Sequence, residues 1–190
     1  ITGFPTFSLE LTGKWLELLH EISPKVKSLV FLTDTANLGA MLIFREMQEN
    51  ARKLGMTVRA LDGRHRANVE RACETMARER MDAFVVSATT IVFAQRQHII
   101  ASAARLRILG IYARSEYPEA GGLLSYGVDP VALFPRGAEY VHRILQGVRP
   151  SELPFERPAT FKLVVNLKTA KTLGIKVPQS IMLRADRLIE

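Results

Sequence analysis

The chain has 190 residues, 47% of them hydrophobic, enough for one ordinary domain, or one large domain with an appendage, around a sizeable core. Its 26 Lys and Arg against 19 Asp and Glu give +7, but the bases are scattered in pairs such as Lys25/Lys27, Arg78/Arg80 and Arg105/Arg107, so a solvated basic surface is expected and a nucleic-acid footprint is not. A single cysteine excludes an internal disulfide or thiolate metal site, the apolar runs fall far short of a bilayer span, and the opening ITGFPTFSLELTGK lacks the pattern of a signal peptide.

Ile1 is not an initiator Met, so a processed or truncated piece is expected. Leu11, Trp15, Leu18, Leu19 and Ile22 recur at helical spacing, with Ser8 placed to cap the helix and Pro24 beyond its end. SLVFLT (28–33) is a short run of β-formers suited to a strand buried on both faces. Asn37 can cap a second helix with the apolar stripe Met41, Phe44, Met47, Ala51 and Leu54, stopped by Gly55. TVRAL (57–61) predicts a strand, and Val69, Ala72, Cys73 and Met76 line the next helix, which makes Cys73 a small core residue. AFVVSA (83–88) predicts a third strand, followed by a helix carrying Ile99, Ile100, Ala103 and Leu106. ILGIY (108–112) and GLLSY (122–126) predict the fourth and fifth strands. Strands alternating with helices imply right-handed βαβ crossovers, hence an α/β fold with a parallel sheet covered by helices on both faces.

The end of the chain is different. RGAEYVHRILQ (136–146) is amphipathic, with Tyr140, Val141, Ile144 and Leu145 apolar, and Pro135 is expected to limit how far back this helix reaches. GVRPSELPFERP is a Pro-rich connector, and FKLVVNL (161–167) predicts a last strand. A short helix over 168–173 ends at Gly174, and the tail PQSIMLRADRLIE reads as irregular with a helical turn.

In an open parallel sheet, ligands bind beyond the carboxyl ends of the strands. Those ends are TDTANLG (33–39), SATTIV (87–92), ARSEYPEAGG (113–122) and YGVDP (126–130), rich in hydroxyls, amides, acids and aromatics. Two of them run into helix N-termini, whose free N–H groups favour a carboxylate or other anion. A plainer reading stands beside this one. Asp34, Thr35 and Asn37 suit a turn and an N-cap, Thr89 and Thr90 suit another cap, and Asp129 before Pro130 suits a helix start. Tyr117 and Tyr126 suit half-buried packing, and Gly121–Gly122 suits a turn or a close backbone approach.

Enzymatic signatures are missing from the sequence. No G-x-G-x-x-G follows the first strand, and there is no Walker A segment or G-x-S-x-G elbow. His20, His65, His98 and His142 are far apart, and the acids form no local catalytic pair. The polar loops are a recognition surface without a nucleophile, so no enzyme, cofactor or metal is expected.

GGLLSYGVDP and FKLVVNLKTAKTLGIKVPQSIMLRADRLIE resemble the C-terminal part of ABC-transporter substrate-binding proteins of the tryptophan/tyrosine type. ITGFPTFSLELTGKWLELLHEISPKVKSLVFL is similar to the middle of such proteins, so the resemblance covers essentially the whole chain. It implies a type I periplasmic-binding-protein fold: two α/β lobes joined by three crossing strands, trapping a small solute for a membrane permease. Residues 1–129 would then be the second lobe, 130–158 a helix and connector that pack on the first lobe, and 159–190 a strand and tail returning to the second. The resemblance carries ligand contacts onto Asp34, Thr35 and Asn37; Ser87, Thr89 and Thr90; and Arg114, Ser115 and Tyr117 with Tyr126 and Asp129. It further implies an amino acid or similar solute, aromatic ones included, and a periplasmic or extracytoplasmic setting. The TDTAN loop departs from the family's more usual NP-x-NP type. Most of the first lobe would precede the stretch on which this chain opens. That would leave the apolar face of 136–146 without a host and invite a homodimer or an exchanged helix. The alternative is a ligand-sensing effector domain of a regulator or receptor with the same fold.

Overall fold

The computed structural model describes residues 1–4, 8–158 and 160–190. Its strands are β1 (Ser28–Thr33), β2 (Thr57–Asp62), β3 (Ala83–Val86), β4 (Leu109–Tyr112), β5 (Leu124–Val128), β6 (Phe161–Asn166) and β7 (Arg187–Ile189). They form one sheet in the order β2-β1-β3-β4-β5-β6-β7. The first five strands are mutually parallel, β6 runs antiparallel to β5, and β7 lies parallel to β6. The expected α/β fold is therefore present with a sheet that is mostly, not wholly, parallel.

The side-chain alternation of the strands explains why helices lie on both faces. Leu29 and Phe31 of β1, Ala83 and Val85 of β3 and Ile111 of β4 point into one core. Val30 and Leu32, Phe84 and Val86, and Tyr112 point into the other. Leaving either set in water would forfeit about 1.5–3 kcal/mol for each large side chain. The first core is closed by α1 (Glu10–Ile22), α2 (Leu38–Lys53), α8 (Leu167–Leu173) and α9 (Gln179–Arg184). The second is closed by α3 (Arg66–Arg78), α4 (Thr90–Phe93), α5 (Arg96–Leu106) and α6 (Glu116–Glu119). Cys73 lies in this second core, as its helical spacing predicts. Trp15 is buried, and its Nε1 donates to the Tyr126 carbonyl at 2.7 Å, which ties α1 to β5.

Several local expectations shift. Leu9, not Ser8, occupies the N-cap of α1, while Ser8 Oγ accepts from Glu10 N–H at 3.3 Å. The buried line of α2 is Ala40, Ile43, Met47 and Ala51, and Leu54 is exposed at the C-cap. The fifth strand lies two residues later than its apolar run suggests, because β6 pairs with it as far as Val128. Strand β7 replaces the irregular tail. It has three residues and is held through its backbone against β6.

Helix α7 (Phe134–Leu145) begins before Pro135, which sits in its first turn, where a missing N–H leaves no helical bond unmade. Its apolar face is partly hosted by the chain itself. Tyr140 is buried, its ring centroid lies 4.7 Å from that of Phe4, and its hydroxyl reaches Pro154 O at 3.0 Å and Glu156 Oε1 at 2.8 Å. Phe134, Val141 and Leu145 remain exposed.

Helices α2, α7 and α8 are followed by Gly55, Gly147 and Gly174 in positive-φ conformations. After α3 and α5 the same role falls to Arg80 and Arg107, each at φ 51°, a left-handed conformation that costs an L-residue roughly 1–2 kcal/mol.

Gly127 of β5 is required by a close approach: a Cβ there would stand 1.9 Å from the Ala113 carbonyl oxygen. That oxygen belongs to backbone and cannot swing away. Gly127→Ala is therefore expected to lose about 1–3 kcal/mol, read as a lower urea midpoint with unchanged slope. Wild-type stability in this variant would mean that β5 does not press on the loop after β4.

Candidate functional site

From β1 the chain crosses to β2 on one side, and from β3 onward it moves to the other. Crossovers diverging from adjacent strands leave a crevice between their carboxyl ends. The structure has a hollow there of about 450 Å³, lined by Asp34, Asn37, Ser87, Ala88, Thr89 and Thr90 among others. A second hollow of about 230 Å³ adjoins it and includes Thr90, Arg114, Ser115, Glu116 and Val128. Both share Ala88 and Thr90, so the loops after β1, β3 and β4 and the end of β5 form one continuous rim.

Each loop prepares its groups differently. Asp34 Oδ1 accepts from Ala36 N–H at 3.0 Å and faces Arg64 Nε at 3.6 Å, while Arg64 is also paired with Asp62. Asn37 caps α2 by accepting from Ala40 N–H at 2.9 Å, which leaves its amide N–H groups without a partner among the described residues. Ser87 Oγ and Thr89 Oγ1 stand 3.0 Å apart, so the Thr89 hydroxyl turns toward Ser87 instead of capping α4. Arg114 sits over the Phe93 ring, with Cζ 3.9 Å from its centroid, and donates to Glu116 Oε1 at 2.6 Å. Arg96 approaches the same ring at 4.8 Å. Burial works to raise the Glu116 carboxyl. The hydrogen bond from Arg114, a backbone N–H and the charges of Arg114 and Arg96 outweigh it and hold the group below its ordinary value.

Not every residue singled out in the sequence reaches this rim. Asp34, Asn37, Ser87, Thr89, Thr90, Arg114 and Ser115 do. Thr35 is exposed and lines neither hollow. Tyr117 is fully buried in the second core, stacked on Tyr112 with ring centroids 4.5 Å apart. Its hydroxyl has no partner among the described residues, and burial pushes its pKa up. Tyr126 packs on Phe161 at 5.9 Å against the first core. Asp129 is used locally, accepting from Val131 N–H at 3.0 Å and lying 3.8 Å from Lys162 Nζ. Glu116, Ala88 and Val128 line the rim without having been singled out. For Glu116 the signal was its place two residues after Arg114, where the two charges can close on each other.

Among the described residues, no three metal-ligating side chains lie together, and no helix is long and apolar enough to cross a membrane. A family model described as ABC transporter substrate binding protein matches residues 1–189. The chain belongs to the ABC transporter substrate-binding protein family. This family binds substrates and is not one of enzymes. No curated protein matches the sequence. Among solved structures, a conserved domain protein from Vibrio cholerae is similar with a TM-score of 0.90 and 26% identity, covering 98% of this chain and 62% of that one. An ABC domain from Streptococcus pneumonia in complex with L-Trp gives a TM-score of 0.85 at 23% identity, over 94% of this chain and 62% of the other. A ligand-free, open substrate-binding protein with adhesive properties from Clostridium difficile gives 0.72 at 22% identity, over 100% and 62%. The last two likenesses show the type I periplasmic-binding fold. The chain spans about three fifths of the length of each of these structures.

The depressed Glu116 carboxyl predicts a pH dependence. Its contribution to stability is present above the ordinary value of 4.5 and is lost as pH falls through the lower folded value. Because the pair is part-exposed, the contribution is at most about 1 kcal/mol. Glu116→Gln is expected to remove that acid-limb component from a stability–pH profile. An unchanged profile would show that the pair is not formed in solution.

Proposed function

We propose that the joined hollows are one half of a solute site, and that the protein serves an ABC importer by capturing a free amino acid or a similar small solute. The observation that carries this reading is the convergence of Ser87, Thr89, Thr90, Asn37, Ser115 and the Arg114–Glu116 pair on one rim. Hydroxyls and amide N–H groups suit a carboxylate, a carboxylate side chain suits an ammonium group, and Ala88 and Val128 suit apolar parts of a ligand. The L-Trp held by the Streptococcus pneumonia protein supports an amino acid, aromatic ones included. Residues 1–129 act as the second lobe, and residues 159–190 return to it. A first lobe meets the rim, and closure excludes water around the solute before the protein docks on its membrane permease, outside the cytoplasm. The helix and connector over 130–158 carry the surface for the first lobe. Where no first lobe covers that surface, exposed Val141 and Leu145 pair two copies through α7.

Two measurements test this. Titration calorimetry against the natural amino acids is expected to give weak binding by the chain alone. Arg114→Met is expected to weaken it by roughly 10- to 100-fold, the loss of one charged hydrogen bond of about 1.5–3 kcal/mol. Absence of any amino-acid binding, or full affinity in the variant, contradicts the assignment. Sedimentation of the chain is expected to show a dimer that Leu145→Asp dissociates, and a monomer for both proteins rules the α7 pairing out.

A further inference from the structure

The edge opposite the solute rim, where β1 to β4 begin, carries a different chemistry. We infer that it is a binding site for phosphate-bearing anions, built around Arg80 and Arg107.

Two adjoining hollows of about 250 and 370 Å³ lie there. Arg80, Asp82 and Arg107 line the first, and Lys25, Asp82, Arg107 and Lys176 line the second. All four cations are exposed, and none of them, nor neighbouring Lys27, takes part in an ion pair among the described residues. At the solute rim, by contrast, Arg64 and Arg114 are both paired. The acids at the lower edge are already engaged. Asp82 Oδ2 accepts from Lys27 N–H, Ser28 N–H and Ser28 Oγ at 2.8–2.9 Å, and Glu79 is held by both oxygens to Arg59.

Helix ends offer a competing explanation, since α1, α2, α3 and α5 all finish at this edge. Each C-terminus carries about half a negative charge, so four supply about −2, and Asp82, whose donors are all neutral, adds −1 against five cations. A positive surplus remains. Compensation of the dipoles also does not require arginine in a left-handed conformation, because Arg78 and Arg105 already stand in the last turns of α3 and α5. After α2, α7 and α8 the chain uses glycine at that position. It departs from glycine at Arg80 and Arg107, and both line the same hollow. Strained residues persist where the surrounding structure or a function holds them, and here both arginines line one hollow, with Arg107 also donating to the Thr172 carbonyl at 3.4 Å.

Two planar forks flanked by ammonium groups suit a tetrahedral, multiply charged oxyanion better than a lone carboxylate. A phosphate of this kind can belong to an anionic lipid headgroup or to a soluble polyphosphate. The test sets both sources against one pair of variants. Binding of inorganic tripolyphosphate is measured by calorimetry, and binding to vesicles of phosphatidylglycerol, with phosphatidylcholine vesicles as reference, by flotation. The Arg80→Gly/Arg107→Gly protein is compared with Arg45→Gln/Arg71→Gln, which removes the same charge from outer helix positions.

The glycine variant is expected to bind at least about tenfold more weakly, with the loss largest at low salt, while its melting temperature holds or rises because the left-handed strain is gone. The control is expected to stay within about twofold of wild type. Loss confined to vesicles assigns a headgroup, and loss with tripolyphosphate assigns a soluble anion. If wild type binds neither, or if both variants weaken alike, the edge is only a solvated basic surface and the inference is overturned.

Discussion

Leu29 and Phe31 point to one side of β1 and Val30 and Leu32 to the other, and β3 repeats the pattern with Ala83, Val85, Phe84 and Val86. A sheet apolar on both faces must be covered twice, so each parallel strand returns through a helix on one face or the other. The crossovers that satisfy this burial bring every loop after a parallel strand to one edge, and every loop before one to the opposite edge. Position in the chain thereby becomes position in space. Residues 34, 87 and 114, far apart in sequence, meet because each follows a strand buried on both sides.

The two edges differ electrically for the same reason. The rim beyond the carboxyl ends gathers helix starts, hydroxyls and charges that are cross-paired, Arg64 with Asp62 and Arg114 with Glu116. The guanidinium of Arg114 is held further by the face of Phe93, so the charged pair of the smaller hollow is fixed in place, as the proposed solute site requires. Ordering in advance reduces the entropy lost on binding. The other edge gathers helix ends and cations that form no ion pair among the described residues, and there the backbone tolerates two left-handed arginines.

Local chemistry made much of this legible in the sequence. Apolar runs of five or six residues separated by helical periods identified β1 to β4 and the helices between them. The loops that carry Asp34, Ser87 and Arg114 followed from where those runs end. Asn37 was readable as a cap, and its carbonyl oxygen indeed accepts from Ala40 N–H. Other features had no local signal. Arg187–Ile189 is a strand because β6 offers it a free edge, and Leu54 is exposed because α2 presents Ala40, Ile43 and Met47 to the sheet.

Residue pattern alone determined the α/β class, the succession of strands and helices, and the segments able to carry a site, since these depend on periodicities of two and 3.6 written along the chain. The tertiary structure decided which polar side chains share a hollow. Tyr117 and Ser115 are two residues apart in one loop, yet the tyrosine turns into the core to stack on Tyr112 and the serine lines the rim. That choice depends on what lies across the loop in space, and contacts between residues distant in sequence leave no periodic trace along the chain.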